Sequence, residues 1–411
     1  MSINEWLLWA QDTWNAWMPL KVRLIEPLPL IVPAPEPKST NLSRTVITQM
    51  IRSQHTDDRG FALGGEILAW IDIVAGVTAK RHAGNAAVTA SMDAVTFFAP
   101  VKTGDMCILH AVVNRTWKTS MEIGVLVEGE NMLDGTRRFC CYALLTFVAV
   151  KDGKPVPVAP VIPQVCVLWT FSCRQTLEEE QSFEQAEHRR QARFARKKVS
   201  RDPMPIESQI IPRHSAPSPG VKSARPTQRD RASFSSHDGD DHEKEMRIHR
   251  PLSKFASDSY TEIVEIVFPE HANSLGITFG GQIMKWMEYT AVMAAAKHCR
   301  SHLLTASMDS VTFLRPTRVG DVILIKGIVS QAFSHSVEVY VTVETESLCA
   351  STRQITNDGW LTLVSVDKDG ELVQVPSLNA SSLDQEERKK GGRDRRQKRL
   401  MERDQLAKLV Y

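Results

Sequence analysis

The chain has 411 residues, with 50 Lys and Arg against 48 Asp and Glu and a formal net charge of +2; that balance offers no global attraction for nucleic acid. Seven cysteines without a CxxC pair argue against a disulfide frame or a zinc site and for a reducing, cytoplasmic compartment. No apolar run reaches the roughly 18 to 20 residues of a membrane span, so stable membrane insertion is not expected.

Residues 1–41 form an N-terminal extension. Trp6, Trp9, Trp14 and Trp17 stand among Glu5 and Asp12 with no arginine between them, which matches neither a secretory signal nor a mitochondrial presequence. Ile3, Trp6, Leu7, Ala10, Trp14 and Trp17 share one helical face, suited to docking on the protein's own surface or resting in a membrane interface. The Pro-rich stretch 27–37 reads as an extended tether.

Residues 42–152 carry the first folded unit: a β-rich segment at 44–52, a polar loop, Gly64-Gly65, a long helix and four alternating strands near 88–98, 106–116, 121–128 and 138–150. The helix, GGEILAWIDIVAGVTAKRH, is apolar or small nearly all round, so it belongs inside a protein. A linker, 153–257, follows. It holds an apolar patch at 165–173, a helix at 177–198 whose acids come first and bases last, as the helix dipole favours, and a Pro, Ser, Arg and Asp-rich tract at 202–253 that is expected to be disordered. Residues 258–369 form the second unit and 370–411 a charged helical tail, interrupted by Gly391 and Gly392.

The second unit is the first again. TASMDAVTFFAPVKTGD at 89–105 returns as TASMDSVTFLRPTRVGD at 305–321, and Gly64 matches Gly280, Asp72 matches Glu288, Phe97 matches Phe313 and Glu122 matches Glu338, always 216 positions apart. A constant separation over roughly 100 residues means a duplicated domain, since a solenoid repeats at about 20 to 50 residues. A fainter echo at 206 positions pairs Arg189 with Arg395, Arg190 with Arg396 and Arg193 with Arg399, placing a helix after each copy. One buried helix wrapped by an antiparallel sheet, twice, is an α+β double hotdog.

Each central helix holds an acid on its apolar face: Asp72 with Leu68 and Ala75, Glu288 with Met284 and Ala291. Burying an unpaired carboxylate costs several kcal/mol or raises its pKa, so each acid needs a partner or a job. A salt-bridging acid at a domain interface is the structural alternative. Gly64-Gly65 and Gly280-Gly281 open these helices, where a substrate can approach the backbone and free N–H groups can receive a developing oxyanion; a plain tight turn is the alternative. His82 and His298 sit at helix ends, where a positive charge suits the dipole. No GxSxG elbow accompanies any histidine.

GITFGGQIMKWME preceded by HAN, VTASMD followed by GD, and SMEIGV with HSVEV closely resemble the acyl-CoA thioesterases with two hotdog domains, especially the cytosolic acetyl-CoA hydrolase and brown-fat-inducible branch. The resemblance covers both repeats, about 220 residues. That branch normally adds a lipid-binding START domain, which is expected to be absent from a chain that stops at Tyr411. The resemblance implies hydrolysis of a fatty acyl-CoA to free acid and CoA, with water as second substrate and neither metal nor other cofactor. It implies active sites between the copies: Asp72 facing Asn273, expected to be the more active, and Glu288 facing Thr56, Asp57 and Asp58. It also implies that CoA lies along Ala90, Ser91 and Met92, along Thr119, Ser120 and Met121, and along Ala306, Ser307 and Met308, with Arg190 at a phosphate. Homo-oligomers, a trimer of double hotdogs or higher, are common in such enzymes. At a loop position where many relatives carry Asn, this chain has Phe61 and Ile277. A non-catalytic acyl-CoA-binding scaffold therefore stays open, as does a hotdog enoyl-CoA hydratase using His271.

Overall fold

The computed structural model of the protein describes residues 35–162, 173–199, 206, 252–348, 352–380 and 383–410. The Trp-rich segment, the apolar patch up to residue 172 and nearly all of the 202–253 tract lie outside these residues. The first unit runs β1 (Lys38–Ser39), β2 (Thr45–Met50), α1 (Gly64–Ala83), β3 (Ala86–Met92), β4 (Val95–Thr96), β5 (Met106–Thr116), β6 (Ser120–Glu130), β7 (Arg137–Lys151), β8 (Lys154–Pro155) and β9 (Val161–Ile162), followed by α2 (Cys173–Val199). The second runs β10 (Ser253–Phe255), β11 (Thr261–Ile266), α3 (Gly280–Cys299), β12 (His302–Met308), β13 (Val311–Thr312), β14 (Val322–Ala332), β15 (Ser336–Ser347), β16 (Thr352–Val366) and β17 (Ser377–Asn379), then α4 (Leu383–Lys389) and α5 (Gly392–Val410).

Strand alternation sends every second side chain of each sheet toward its helix. Leu109, Ala111 and Val113 of β5, Ile123 and Val125 of β6 and Ala143 and Leu145 of β7 are buried with Leu68, Ile71, Val74 and Ala75 of α1. Each large aliphatic side chain so removed from water contributes roughly 1.5–3 kcal/mol. α1 ends where Gly84 takes the left-handed conformation at φ +65 and its N–H returns to Lys80 O, the usual glycine stop.

The sheets are ordered β13-β3-β7-β6-β5-β2 and β11-β14-β15-β16-β12-β4, so each unit lends a short strand to its twin. β4 pairs with β12 and β13 with β3. The Phe97 N–H donates to Ala306 O at 2.9 Å, and Phe313 N–H to Ala90 O at 3.0 Å. The repeated TASMD segment is therefore the seam between the copies. The central helices cross it in opposite directions, Gly65 beside Lys285 and Glu288, Gly281 beside Ala69 and Asp72.

Each unit extends past the bounds 42–152 and 258–369. β1 pairs with β9 and β10 with β17, both parallel, and this outer pair lays a lysine on the helix end: Lys38 Nζ donates to His82 O, and Lys254 Nζ to Lys297 O and His298 O. The helix ends are thus served by lysines. His82 and His298 are instead buried, their Nε2 atoms bonded to Ala159 O and Pro376 O, and burial lowers both pKa values. The expected dipole-stabilised positive charge on these histidines is not how they are used.

The echo at 206 positions corresponds to one docking device built twice. Glu122, fully buried, accepts Arg189 and Arg193 of α2, both at 2.6 Å; Glu338, fully buried, accepts Arg395 at 2.5 Å and Arg399 at 2.6 Å from α5. Arg193 also reaches Asp93, and Arg399 reaches Asp309. Gly391, at φ +69, separates α4 from α5.

Candidate functional site

The two helix acids are buried, each about 1% exposed, and each lies against the opposite copy's helix start. Asp72 Oδ1 accepts the Thr89 hydroxyl at 2.7 Å and Oδ2 accepts the Gly281 N–H at 2.9 Å. Burial raises the Asp72 pKa, against the opposing pull of those two donors. Glu288 Oε1 accepts the Thr305 hydroxyl at 2.7 Å. The Gly64 and Gly65 amides lie near enough to favour its charged form, yet burial dominates and Glu66 adds repulsion, so its pKa is pushed up to about 7. Oε2 has no well-formed hydrogen bond among the described residues.

The glycines mainly let the helices approach. A Cβ on Gly65 would stand 3.0 Å from Lys285 Cα, and one on Gly281 would stand 2.7 Å from Asp72 Cβ and 2.8 Å from Ala69 Cα. Gly65 and Gly281 thus face the opposing helix, which corrects their reading as open to substrate. Gly280 is closed in by Phe313 and Thr89, whereas Gly64 lines a cleft.

The loops into the helices share one shape and differ in chemistry. Asn273 Oδ1 accepts the Leu275 and Ile277 N–H groups; these two donors identify the oxygen, so Nδ2 faces away with hydrogen-bonding capacity to spare. Its counterpart Asp57 accepts the Arg59 and Phe61 N–H groups in the same way, and its second oxygen takes the Arg59 guanidinium at 2.7 Å. A carboxylate there has no donor to offer. Asp58, largely exposed, lies 3.5 Å from His302 Nδ1 of the other copy. His271 is held by the Phe268 N–H and packs edge-on against Trp286, a structural setting that His55 and Trp70 repeat.

A cleft of about 190 Å³ joins Glu288, Thr305 and Gly64 to Asp57, Asp58 and Phe61, then follows Val292 and Ala296 along α3 to His302. Asp58 and Glu288 are therefore brought to one cleft. Asn273 stands in the loop leading to Gly281, whose amide holds Asp72.

The expected CoA strands are placed differently. Ser91 and Met92 pair with β7 on one side and β13 on the other, and Ser307 and Met308 pair with β16 and β4; Ala90 and Ala306 supply the cross-seam carbonyls. These six residues form the seam between the copies rather than a free edge. Thr119, Ser120 and the buried Met121 belong to the β5–β6 hairpin, beside Trp117, over which the Arg190 guanidinium stacks at 4.9 Å. Arg189 is spent on Glu122. The cluster of Glu66, Lys285 and Tyr289, with Glu66 Oε1 accepting Lys285 Nζ at 2.7 Å and the Tyr289 hydroxyl at 2.8 Å, escaped the sequence reading; comparison of Glu66 with Gln282, its counterpart, was the available signal.

The thioesterase superfamily model matches residues 59–135 and 275–349. Acyl-coenzyme A thioesterase 11 of Mus musculus is 32% identical over 361 residues, covering 88% of this chain and 53% of the relative. The uncharacterized acyl-CoA thioester hydrolase YkhA of Bacillus subtilis is 36% identical over 131 residues, covering 32% of this chain and 76% of the relative. The crystal structure of an apo-hexameric acyl-CoA thioesterase aligns at 36% identity with a TM-score of 0.37, covering 40% of this chain and 99% of that one. The chain spans 53% of the length of that Mus musculus relative and 57% of that of the acetyl-coenzyme A thioesterase of Mus musculus.

Proposed function

This chain belongs to the acyl-CoA thioesterase family, and we propose that it hydrolyses an acyl-CoA to the free acid and CoA, with Asp72 and Asn273 forming the more active of two clefts. The supporting observation is the contrast between Asn273 and Asp57. Both are locked by the same loop amides, but only Asn273 keeps N–H donors for a thioester carbonyl or an attacking water. Asp72 supplies the complementary base. Its raised pKa makes the carboxylate a better proton acceptor than a solvated one.

In this reading Asp72 takes a proton from water as the water oxygen bonds to the thioester carbon. The carbonyl electron pair moves onto oxygen, where the Asn273 amide stabilises it. Collapse of the tetrahedral intermediate breaks the C–S bond, and the leaving thiolate recovers the proton from Asp72. The reaction as written needs no cofactor. Direct attack by the carboxylate would give a mixed anhydride instead; label found in Asp72 after a single turnover in ¹⁸O-water would establish that route, with water opening the anhydride at the Asp72 carbonyl.

Assembly into trimers of the double unit and residence in the cytoplasm complete the proposal. Exposed apolar side chains on the edge strands, Val46 and Met50 of β2 with Val264 and Ile266 of β11, support the first, and the buried thiols Cys107, Cys140 and Cys141 support the second. The test is thiol release from acyl-CoAs of several lengths. Loss of turnover in Asp72→Ala, with only a reduction in Glu288→Ala, is the expected result. Release unaffected by both changes would sink the assignment, and binding without turnover in the unaltered chain would favour a scaffold.

A further inference from the structure

A glycine inside a helix weakens it relative to alanine, so each such glycine has a cause. A Cβ on Gly64, Gly65, Gly280 or Gly281 would come within 3.0 Å of a neighbouring atom, and close packing accounts for all of them. Gly76 is different. It lies in the interior of α1, and a Cβ there would meet only the Phe147 ring, Cε1 at 3.7 Å and Cζ at 4.0 Å, which is ordinary van der Waals contact. The fold itself has room for an alanine.

That room lies at the Asp72 site. Gly76 stands one turn beyond Asp72 on the same side of the helix and is half-buried. Phe147, 2% exposed, is the cross-strand partner of Thr89, whose hydroxyl holds Asp72. In the other copy the matching residues are Val292 and Leu363; Leu363 is paired with Thr305 in the same way, and Val292 lines the cleft beside Glu288. The two copies divide the same volume oppositely. Beside Asp72 the helix carries no side chain and the strand an aromatic ring, whereas beside Glu288 the helix carries a branched side chain and the strand a smaller one.

We propose that the acyl chain bound at the Asp72 site crosses α1 over Gly76, touching the bare helix backbone and the edge of the Phe147 ring, so that this pair determines which acyl chains the site accepts. The proposal rests on the hydrolytic reading of that site. It explains a glycine that the packing does not require. An alkyl chain asks for no hydrogen bonds from the wall it lies on, and the ring holds it by dispersion. Gly76 is about 6 Å along the helix axis from Asp72, so an acetyl group ends short of it and a decanoyl chain runs past. A valine there would put two methyl groups in the path.

Thiol release from acetyl-CoA and decanoyl-CoA by the full chain tests this, with the ratio of the two kcat/KM values as the readout. Gly76→Val should lower the decanoyl-to-acetyl ratio about tenfold or more, the scale of overpacking a filled site. Adding Phe147→Leu, which recreates the pair at Val292 and Leu363, should restore part of the ratio; that recovery separates a ligand contact from a folding defect. Gly76→Ala should raise the melting temperature while lowering the ratio, because the fold has space for the methyl group and the bound chain does not. An unchanged ratio in Gly76→Val overturns the proposal. Equal loss on both substrates also overturns it, since the pantetheine arm that they share would then be what crosses Gly76. A lowered melting temperature in Gly76→Ala would show that the fold requires the glycine, with the same consequence. If the unaltered chain hydrolyses neither thioester, the hydrolytic reading falls and equilibrium dialysis decides the proposal: decanoyl-CoA should bind more tightly than CoA by a margin that Gly76→Val removes, and a margin that persists overturns it.

Discussion

Asp72 accepts the backbone N–H of Gly281 at 2.9 Å, tying the acid of one copy to the first turn of the other copy's helix. The contact holds the carboxylate still and depends on a helix crossing too close for any side chain at position 281.

Gly281→Ala therefore tests the crossing. Its new Cβ would meet Asp72 Cβ at 2.7 Å and Ala69 Cα at 2.8 Å, and a backbone atom cannot swing aside. Overpacking of this kind costs about 1–3 kcal/mol or more. A lowered melting temperature together with lost thiol release is expected, while unchanged melting would refute the contact.

Thr89→Val tests the support of the base. It keeps the shape of the side chain and removes the hydroxyl that Asp72 Oδ1 accepts, a bond that favours the charged carboxylate. The Asp72 pKa should rise further, so the rising limb of kcat against pH moves to higher pH by about one unit or more, as expected for losing a hydrogen bond to a charged group. A pH profile that keeps its position would remove Thr89 from this role.

Glu288→Gln tests the cost of burying the second acid. Folding raises the Glu288 pKa from 4.5 to about 7, so the folded state holds the proton more tightly than the unfolded one. No ionisation penalty exists below about pH 4.5; it grows as pH rises through that interval and is full above pH 7. The variant should match the unaltered chain near pH 4 and exceed its stability at pH 8 by up to about 3 kcal/mol, the equivalent of that shift. Melting curves across pH read the difference, and a gap independent of pH would contradict it.

Arg399→Met tests the tail docking. It leaves Glu338, fully buried, with one of its two guanidinium partners and removes the partner of Asp309. Breaking one side of a buried ion pair costs on the order of 3–5 kcal/mol. Denaturant unfolding should show that loss, and adding Glu338→Gln should recover part of it, because the buried Glu338 charge is then gone.

Much of this was legible because the chain carries its own comparison. The separation of 216 residues exposed both units, both buried acids and the altered loop residue, Asp57 against Asn273. The separation of 206 picked out Arg189, Arg193, Arg395 and Arg399, although not their partners: Glu122 and Glu338 lie on strands about 60 to 70 residues away, and nothing in local spacing says which arginine turns inward. Arg190, one residue from Arg189, points instead to Trp117, because successive residues on a helix face different ways.

Local periodicity, glycine placement and repetition determined the elements and their order, since a strand's alternation and a helix's apolar face depend on residues near in the chain. Tertiary structure decided what each group meets. The TASMD segment became a seam because its two copies exchange short strands, the double glycines became contact points because two helices cross there, and the His82 pKa is lowered because the fold buries its ring against Ala159 O. Asp72 and Glu288 stand at one register in one fold, yet Glu66 lies beside only the second; the difference between the clefts arises from charges brought together across more than two hundred residues of chain.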